Sequence, residues 1–420
     1  MKPKFYRKIL KKPHTKTEAR LIQNFHRKIL ANGMTIIFEK RDIPVVAVAF
    51  AVRNGGINEQ ISEKGISHFI EHMLYKGTPT RDAKKIAEEI EKKGGELNGF
   101  TDETVTAFWC KMPSKHLKIA LEVLSDMIKN PLFDEKELEK ERQVIFEEIK
   151  MRKDSPHIYV LDNIQGELYG GTLGKNLIGT YETMKKIDRK KLTNKFRQIY
   201  QPNNMILGIV GEADFEEIVE FAEKNFGNKK GKVPKIEFSI KNGTKIEKRK
   251  GIDQANLVFA YHVPLATDKK CYAAEVLLTL MAGGMSSRLF SEIREKRNLA
   301  YAVKGDSDIT KFFAYNGIYV GTTKEKIELI KKIILEEFKK VAENLTEKEL
   351  NQVKEQLIGN YNISLEDSQT QLLNLLLHEI DGNAKEFYDF EKNISGVKLK
   401  DVKELAKIKD YSFIALIPED

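Results

Sequence analysis

The feature that most constrains the fold is an internal repeat with a period of about 210 residues. The apolar segment VVAVAFAV at 45–52 has a counterpart in ANLVFAYH at 255–262, an offset of 210. A lysine- and glutamate-rich helical segment around Leu138 recurs around Leu350, an offset of 350 − 138 = 212. Solenoid repeats have periods of about 20–50 residues, so this spacing instead predicts the duplication of a whole domain.

Each copy alternates short β-branched segments with stretches of helical periodicity, which predicts two α+β domains. In the first copy the predicted strands are 34–40, 45–52, 104–112 and 205–210. The predicted helices there are 64–75, 83–93, 114–128, 134–152 and 214–225, with further helix between 152 and about 200.

A segment that contains Gly, Lys and Pro and has little periodicity, 227–243, is the predicted linker between the copies. The first domain is therefore expected at 23–226 and the second at 244–420. Residues 1–22 form a basic extension, in which seven of the first sixteen residues are Lys or Arg and none is acidic. The favoured interpretation of this extension is a solvated tail, and the alternatives are a contact with nucleic acid or a membrane and a transit peptide.

Charge and hydropathy argue against several classes of function. The net charge is 71 − 62 = +9, and no basic segment is interleaved with aromatic residues, so a nucleic-acid partner is not expected. No uninterrupted apolar stretch reaches 18 residues, and no signal-peptide pattern precedes residue 20, so no membrane partner is expected. Two cysteines, Cys110 and Cys271, are too few for a disulfide framework and predict a cytoplasmic location.

The segment GISHFIEHML at 65–74 carries the clearest chemical signal. His68 and His72 are four residues apart, so on a helix they lie on one face about one turn apart and can bind one Zn²⁺. Glu71 lies between them in sequence and can reach a water on the metal without being a ligand. The order His-x-x-Glu-His is the inverted form of a zinc-peptidase motif. The alternative is a pair of ordinary packed or surface histidines on a helix.

A catalytic zinc needs three protein ligands and an open position. The other histidines are scattered, so the third ligand is expected to be a carboxylate. Three candidates lie on the predicted helix after residue 134: Glu141, Glu147 and Glu148. Glu141 and Glu148 share a helical face because they are seven residues apart, whereas Glu147 lies about 100° away from Glu148.

Several further segments give the chain a family resemblance. They are NGGINE at 54–59, GISHFIEHMLYKGT at 65–78, GGELNGFTDETVTAF at 94–108, ERQVIFEEIKMRKDSP at 141–156, YQPNNMILGIVGEAD at 200–214 and SSRLFSEIREKRNLAYAV at 286–303. In these segments the chain resembles the pitrilysin/insulinase family of zinc metallopeptidases, especially the smaller branch that includes the mitochondrial processing peptidase. The resemblance implies two homologous domains of about 200 residues, each a mostly antiparallel sheet with helices packed on one side.

The resemblance also implies roles for individual residues. His68 and His72 match the family's zinc ligands, Glu148 its distal zinc ligand, and Glu71 its general base. Glu141 matches a second acidic residue near the catalytic site. One departure is Gly99, which stands where the family often has Ala after the asparagine at 98.

The second copy is expected to contribute to catalysis without a metal. With offsets of 210 to 212, the metal-site residues map near Leu278, Met281, Ala282 and Asn360, none of which suits zinc. The resemblance implies that this copy supplies Arg294 and Tyr301, seven residues apart, as substrate-contacting residues that stabilise the oxyanion.

The resemblance implies that the substrate peptide adds to an edge strand by β-augmentation. The predicted edge strand is TDETVTAF at 101–108. The predicted contacts are Thr104, Val105, Thr106 and Ala107 within it and Asn98 just before it. The expected function is zinc-dependent endopeptidase cleavage of unfolded or short peptides, with one Zn²⁺ per chain. The resemblance implies that cleavage takes place in an enclosed chamber and that the chain forms a homodimer. The alternatives are a non-catalytic structural subunit of the same family and, from another class, a basic nucleic-acid-binding protein.

Overall fold

Two mixed sheets, one in each half, form the framework of the chain, and the computed structural model describes residues 24–419. The predicted basic extension 1–22 lies outside these residues. The strands, in chain order, are β1 (Phe25–Ile29), β2 (Thr35–Lys40), β3 (Val45–Val52), β4 (Glu96–Thr101), β5 (Thr106–Pro113), β6 (Tyr169–Gly171), β7 (Met205–Gly211), β8 (Phe238–Ile240), β9 (Thr244–Arg249), β10 (Ala255–His262), β11 (Ala300–Ile309), β12 (Ala314–Thr322) and β13 (Ser412–Pro418).

The helices pack on these sheets and connect their strands. In chain order they are α1 (Ile66–Leu74), α2 (Ala83–Glu91), α3 (Leu117–Lys129), α4 (Glu135–Asp154), α5 (Pro156–Leu168), α6 (Tyr181–Lys186), α7 (Arg189–Ile199), α8 (Phe215–Asn225), α9 (Cys271–Ala282), α10 (Ile327–Asn344), α11 (Glu347–Ser364), α12 (Ser368–Asp381), α13 (Phe390–Ser395) and α14 (Leu399–Leu405). Among the helices of residues 24–419, none combines the length and the apolar character that crossing a membrane requires.

Apart from the additional edge strand β1 of the first sheet, the two sheets have the same topology, which confirms the predicted duplication. The first sheet has the strand order β1-β2-β7-β3-β5-β4, and the second, read from its far edge, has the order β9-β13-β10-β12-β11. In both sheets one pair is parallel, β2 with β7 and β9 with β13, and the remaining pairs are antiparallel. The predicted fold class, two homologous α+β domains with mostly antiparallel sheets, is therefore confirmed.

The central strand β3 shows how the sequence separates the two faces of a sheet. Its larger side chains, such as Val48 and Phe50, are buried with the helices of their own half. The alternate residues Ala47, Ala49 and Ala51 are buried on the opposite face. A strand that is covered on both faces reads as a continuous apolar run, which is the pattern of 45–52.

The opposite face of each sheet is covered by a helix from the other half. α12 of the second half packs on β3 and β7 of the first sheet, and α5 of the first half packs on β10 and β13 of the second sheet. The two helices are equivalent, because 368 − 156 = 212 is the repeat offset. A Cβ atom added at Gly208 of β7 would lie 2.6 Å from Leu372 Cδ1, so a glycine at this position lets α12 approach the sheet closely. This reciprocal exchange of helices joins the halves and was not predicted from the sequence.

Buried charges fix α12 on the first sheet. Glu379 accepts hydrogen bonds from Arg27 Nε and Nη2, both at 2.8 Å, and from Arg53 Nη2 at 3.0 Å. The glutamate side chain is 1% exposed and its pKa is lowered, because these hydrogen bonds and charges outweigh the effect of burial. Nearby, Gln371 donates to the buried Glu39 at 2.7 Å.

The prediction that residues 101–108 form an edge strand is wrong. β4 is the edge of the first sheet, and β5 lies between β3 and β4. Thr104 and Val105 belong to the buried turn between β4 and β5, and Thr106 and Ala107 are buried in β5. Of the predicted substrate contacts, Asn98 alone lies on the edge strand. The error arises because the apolar run TVTAFWC is the inner strand of a hairpin, whereas its outer strand, ELNGFT, is more polar.

The predicted linker 227–243 begins just after the core of the first half and contains one short strand. The core of the first sheet includes Phe226, just before the predicted linker 227–243. The linker contains β8, which pairs with β6 in a separate two-stranded sheet. Cys110 and Cys271 are both buried and unpaired.

The ion pairs on α12 lead to a test of the helix exchange. We expect Glu379→Ala to lower the free energy of unfolding by about 3 kcal/mol, because it leaves two guanidinium groups without their buried partner. Glu386→Ala, at an exposed position after the same helix, is the matched control and should change stability by less than about 0.5 kcal/mol. Urea unfolding of the full chain measures both, and equal stability of the two variants would contradict this role of Glu379.

Candidate metal centre

A buried charge network fixes the start of α1, the helix that carries both histidines. Glu59 accepts hydrogen bonds from the backbone N–H groups of Gly65 at 2.9 Å and Ser67 at 2.7 Å, so its carboxylate caps the helix N-terminus. Lys64 lies between Glu59 at 3.9 Å and Glu103 at 3.2 Å and is itself 2% exposed. Gly65 has φ +94°, a left-handed conformation that favours glycine. Helix α1 is thereby tied to the turn between β4 and β5.

His68, His72 and Glu148 converge on one point. The two Nε2 atoms are 3.3 Å apart, and Glu148 Oε2 lies 3.5 Å from His68 Nε2 and 3.8 Å from His72 Nε2. The three potential ligand atoms all lie within 4.8 Å of one another. Within residues 24–419 this is the one such group of three or more His, Cys, Asp or Glu side chains.

The three atoms fit a tetrahedral Zn²⁺ site. Ligand distances of about 2.0–2.1 Å place the corners of a tetrahedron about 3.3–3.4 Å apart, which is close to the observed separations. Burial, the charge of His72 and the charge of Arg152 lower the pKa of His68 to about 3. His68 is therefore neutral near pH 7, as a metal ligand must be. Two imidazoles and one carboxylate form a donor set that leaves the fourth position open.

Glu141 contacts the Nδ1 side of His72 and is not itself one of the three donors. Its Oε2 is 3.0 Å from His72 Nδ1, and its Oε1 is 2.6 Å from Lys76 Nζ. Burial raises the pKa of Glu141, but the hydrogen bonds to His72 and Lys76 outweigh it, so the pKa is lowered and the carboxylate stays ionised. A carboxylate at Nδ1 keeps the proton there and leaves the Nε2 lone pair for a metal. Glu141, predicted among the catalytic residues, thus acts on the site through His72.

Glu71 lies beside the donors without joining them. Thr101 Oγ1, at the end of the edge strand β4, donates a hydrogen bond to Glu71 Oε2 at 2.6 Å. Burial raises the pKa of Glu71, the Thr101 hydrogen bond and His72 oppose this shift, and the charge of Glu148 adds to it. A carboxylate with a raised pKa next to a metal site is suited to accept a proton.

The edge strand β4 runs next to α1. Thr101 contacts Glu71 on the face of β4 that meets α1, and Gly99 lies on the same face. A Cβ atom added at Gly99 would lie 2.6 Å from Tyr75 Oη and 2.9 Å from the carbonyl oxygen of Ala107, so glycine allows this close packing. Asn98 is exposed, and its Oδ1 accepts a hydrogen bond from Gly99 N–H at 2.8 Å.

Arg294 and Tyr301 are together in the second half. Tyr301 is the extra residue of a β-bulge, because Ala300 pairs with Thr322 and Ala302 pairs with Gly321. Arg294, in a π-helical turn before β11, donates from Nη1 to the Tyr301 carbonyl oxygen at 2.9 Å. Tyr301 is 69% exposed. A bulge redirects a side chain out of the strand pattern, which leaves this tyrosine free to meet a ligand.

The second half lacks a metal-binding set among its described residues. The helix that corresponds to α1 is α9, which carries Leu278, Met281 and Ala282, all buried in the apolar core. Asn360 lies on α11, the counterpart of α4. This matches the residues that the repeat offsets assigned.

Sequence reasoning missed three residues around the donors: Lys76, Thr101 and Arg152. Lys76 is one helical turn after His72, and Arg152 is one turn after Glu148, so helical spacing carried a signal for both. Thr101 ends a strand whose pairing could not be read from the sequence.

Two homologous halves, with one His-His-Glu donor set among the described residues, are the arrangement of the inverted-motif class of zinc peptidase folds. A family description of "Insulinase (Peptidase family M16)" matches residues 35–181, and one of "Peptidase M16 inactive domain" matches residues 186–357. The chain belongs to this family, peptidase family M16. Its similarity to named zinc proteases extends over most of its length.

Among its relatives, an uncharacterized zinc protease of Bacillus subtilis is 31% identical over 396 residues, which cover 92% of this chain and 97% of that protein. One from Rickettsia felis is 33% identical, with coverage of 80% and 83%. A protease from Helicobacter pylori shares the fold with a TM-score of 0.88 at 22% identity, over 94% of this chain and 99% of the other. A chain of complex III2 from Candida albicans has a TM-score of 0.83 at 17% identity, with coverage of 94% and 95%.

The choice between neighbouring carboxylates on α4 can be tested directly. Glu148→Gln should weaken zinc binding by more than about 100-fold, because it removes the carboxylate from a donor set of two imidazoles and one carboxylate. Loss of a residue that only contacts a metal ligand costs less, about 10–100-fold. Glu147→Gln is the matched control, since Glu147 is exposed and lies outside the donor group, and its zinc affinity should equal that of the wild type. Competition with a chromophoric chelator measures both. The reverse result would mean that Glu147 is the ligand.

Proposed function

We propose that this chain is a zinc-dependent endopeptidase that cleaves unfolded or short peptides. The observation that carries the proposal is the convergence of His68, His72 and Glu148, with Glu71 next to them but outside the donor group. Membership of a peptidase family supports it. A bound Zn²⁺ would supply a Lewis acid that polarises the scissile carbonyl and makes water nucleophilic near neutral pH.

Glu71 is the general base in this proposal. Because Thr101 donates to Oε2, we assign proton transfer to Oε1. The carboxylate takes a proton from the attacking water and passes it to the leaving amine. Thr101 holds the carboxylate in place during both steps.

The free edge of β4 is the proposed binding strand for the substrate. Its inner edge pairs with β5, and it is the outermost strand of its sheet within the described residues. An extended peptide can bind there through its backbone, so the demand on its sequence is low and the bound segment has to be extended. Asn98 is exposed on this strand and is the proposed side-chain contact.

The second half supplies the proposed donors for the oxyanion. Arg294 uses Nη1 for the Tyr301 carbonyl, and its side chain is 46% exposed, so its remaining N–H groups can meet a substrate. The Tyr301 hydroxyl is the second donor. We further propose that the two halves enclose the peptide, that the chain acts as a homodimer, and that it works in the cytoplasm, where its two unpaired cysteines would stay reduced.

A non-catalytic structural subunit is the alternative function. The fold similarity to a chain of complex III2 favours it, since that match shows the fold outside a protein described as a protease. The complete donor set and the adjacent Glu71 favour the peptidase.

The role of Glu71 separates these two functions. Glu71→Gln should keep about one zinc per chain, because Glu71 is not a donor, while peptide cleavage falls by about 10²–10⁴-fold or more. Metal analysis and the rate on a fluorogenic peptide are measured on the same preparation. Cleavage within a few-fold of the wild type would rule out the general base, and a wild type that binds zinc but cleaves no peptide in a library would favour the structural subunit.

The role of the second half is tested by one hydroxyl group. Tyr301→Phe should lower turnover by about 10²–10³-fold, because one oxyanion donor is lost, and should leave the zinc content unchanged. Tyr411→Phe, a tyrosine that stacks on Phe259 of the same half, is the control. Steady-state rates that are equal in Tyr301→Phe and the wild type would show that this hydroxyl takes no part in the reaction.

A further inference from the structure

The two carboxylate oxygens of Glu148 have different neighbours. Oε2 faces the Nε2 atoms of His68 and His72 at 3.5 and 3.8 Å. Oε1 faces Arg152 Nη1 at 3.8 Å, one turn further along α4. The guanidinium therefore lies on the side of the carboxylate that is turned away from the histidines.

Arg152 is itself held by a two-point contact. Its Nε donates to Asp162 Oδ2 at 2.9 Å and its Nη2 donates to Asp162 Oδ1 at 2.7 Å. This paired geometry fixes the plane of the guanidinium and leaves Nη1 directed at Glu148. The Asp162 side chain is 15% exposed and that of Arg152 is 34% exposed, so solvent screens the pair only in part.

Asp162 belongs to α5, whose position is set by the second half. Val160 and Ile164 of α5 are buried with Val258 and Ile414 of the second sheet. Asp162 is two residues from Val160, about 200° around the helix, and so points back towards α4. Tyr159, on the same helix, donates to Glu247 Oε2 of β9 at 2.6 Å.

We propose that Arg152 is a positioning residue for the third metal ligand, anchored by Asp162 on a helix that is docked on the second half. At 3.8 Å the contact is longer than a hydrogen bond, so the charge of Arg152 attracts Oε1 electrostatically and favours the orientation of Glu148 that presents Oε2 to the metal. The contact from Asp162 through Arg152 to Glu148 makes metal affinity depend on the docking of the two halves. This inference rests on the proposed zinc site.

The test is the zinc affinity of the metal-free full chain, measured by chelator competition. Arg152→Met should weaken zinc binding by about 10–100-fold, the usual effect of losing a partner of a metal ligand. Asp162→Asn should weaken it in the same direction, because the guanidinium loses its charged anchor. Arg152→Lys should not restore the wild-type affinity, because a single ammonium group cannot contact both carboxylates in the same way.

Two controls distinguish positioning from a general loss of structure. Lys150→Met removes an exposed positive charge from the same helix and should leave zinc affinity unchanged. In the Glu148→Gln background, Arg152→Met should have no further effect, because its contribution acts through Glu148.

Three results would overturn the inference. Wild-type zinc affinity in Arg152→Met would overturn it while leaving the zinc site intact, as would an additive loss in the Glu148→Gln background. A wild-type chain that binds no zinc would overturn the proposed site and this inference together. If Arg152→Met does not fold, Asp162→Asn and Arg152→Lys carry the same comparison, and wild-type affinity in both would count against it.

Discussion

The structure depends on one constraint, which is that each sheet has two apolar faces and the helices of its own half cover only one of them. The second face is buried by a helix of the opposite half, α12 on the first sheet and α5 on the second. Burying one large apolar side chain contributes about 1.5–3 kcal/mol, so the row of leucines that α12 places over the alanines of β3 is a major source of cohesion. Neither half alone buries both faces of its sheet.

The candidate metal centre lies on helices of this framework. Its donors come from two helices of the first half, α1 and α4, and rigid elements hold a site more accurately than loops do. Glu59 and Lys64 fix the start of α1, Glu141 fixes the ring of His72, and the contact of Arg152 with Asp162 links Glu148 to α5. Each donor side chain except His68 therefore has a partner that orients it, and the His68 ring is held by burial.

Local patterns in the sequence predicted much of this structure. The predicted strand 45–52 is β3, and the helix predicted at 64–75 contains α1, because an apolar run and helical spacing depend only on neighbouring residues. Spacing alone left Glu141, Glu147 and Glu148 open as the third ligand, and of these three the fold brings Glu148 next to the Nε2 atoms of both histidines. The strand β4 was missed because Glu, Asn and Gly are poor strand formers, and pairing with β5 stabilises it. The exchanged helices and the Asp162 contact were missed because they join residues far apart in the chain.

The exchange of helices has a consequence for how the chain folds as it is synthesised. When the strands of the first sheet have left the ribosome, the helix that covers their outer face has not yet been made. The alanines of β3 and the backbone around Gly208 then face water, or a chaperone, until α12 follows. Contacts between such distant segments also make folding slow. During that interval the nascent first half exposes an apolar surface that can aggregate. The yield of folded protein should therefore depend on how soon the helix that ends at residue 381 leaves the ribosome.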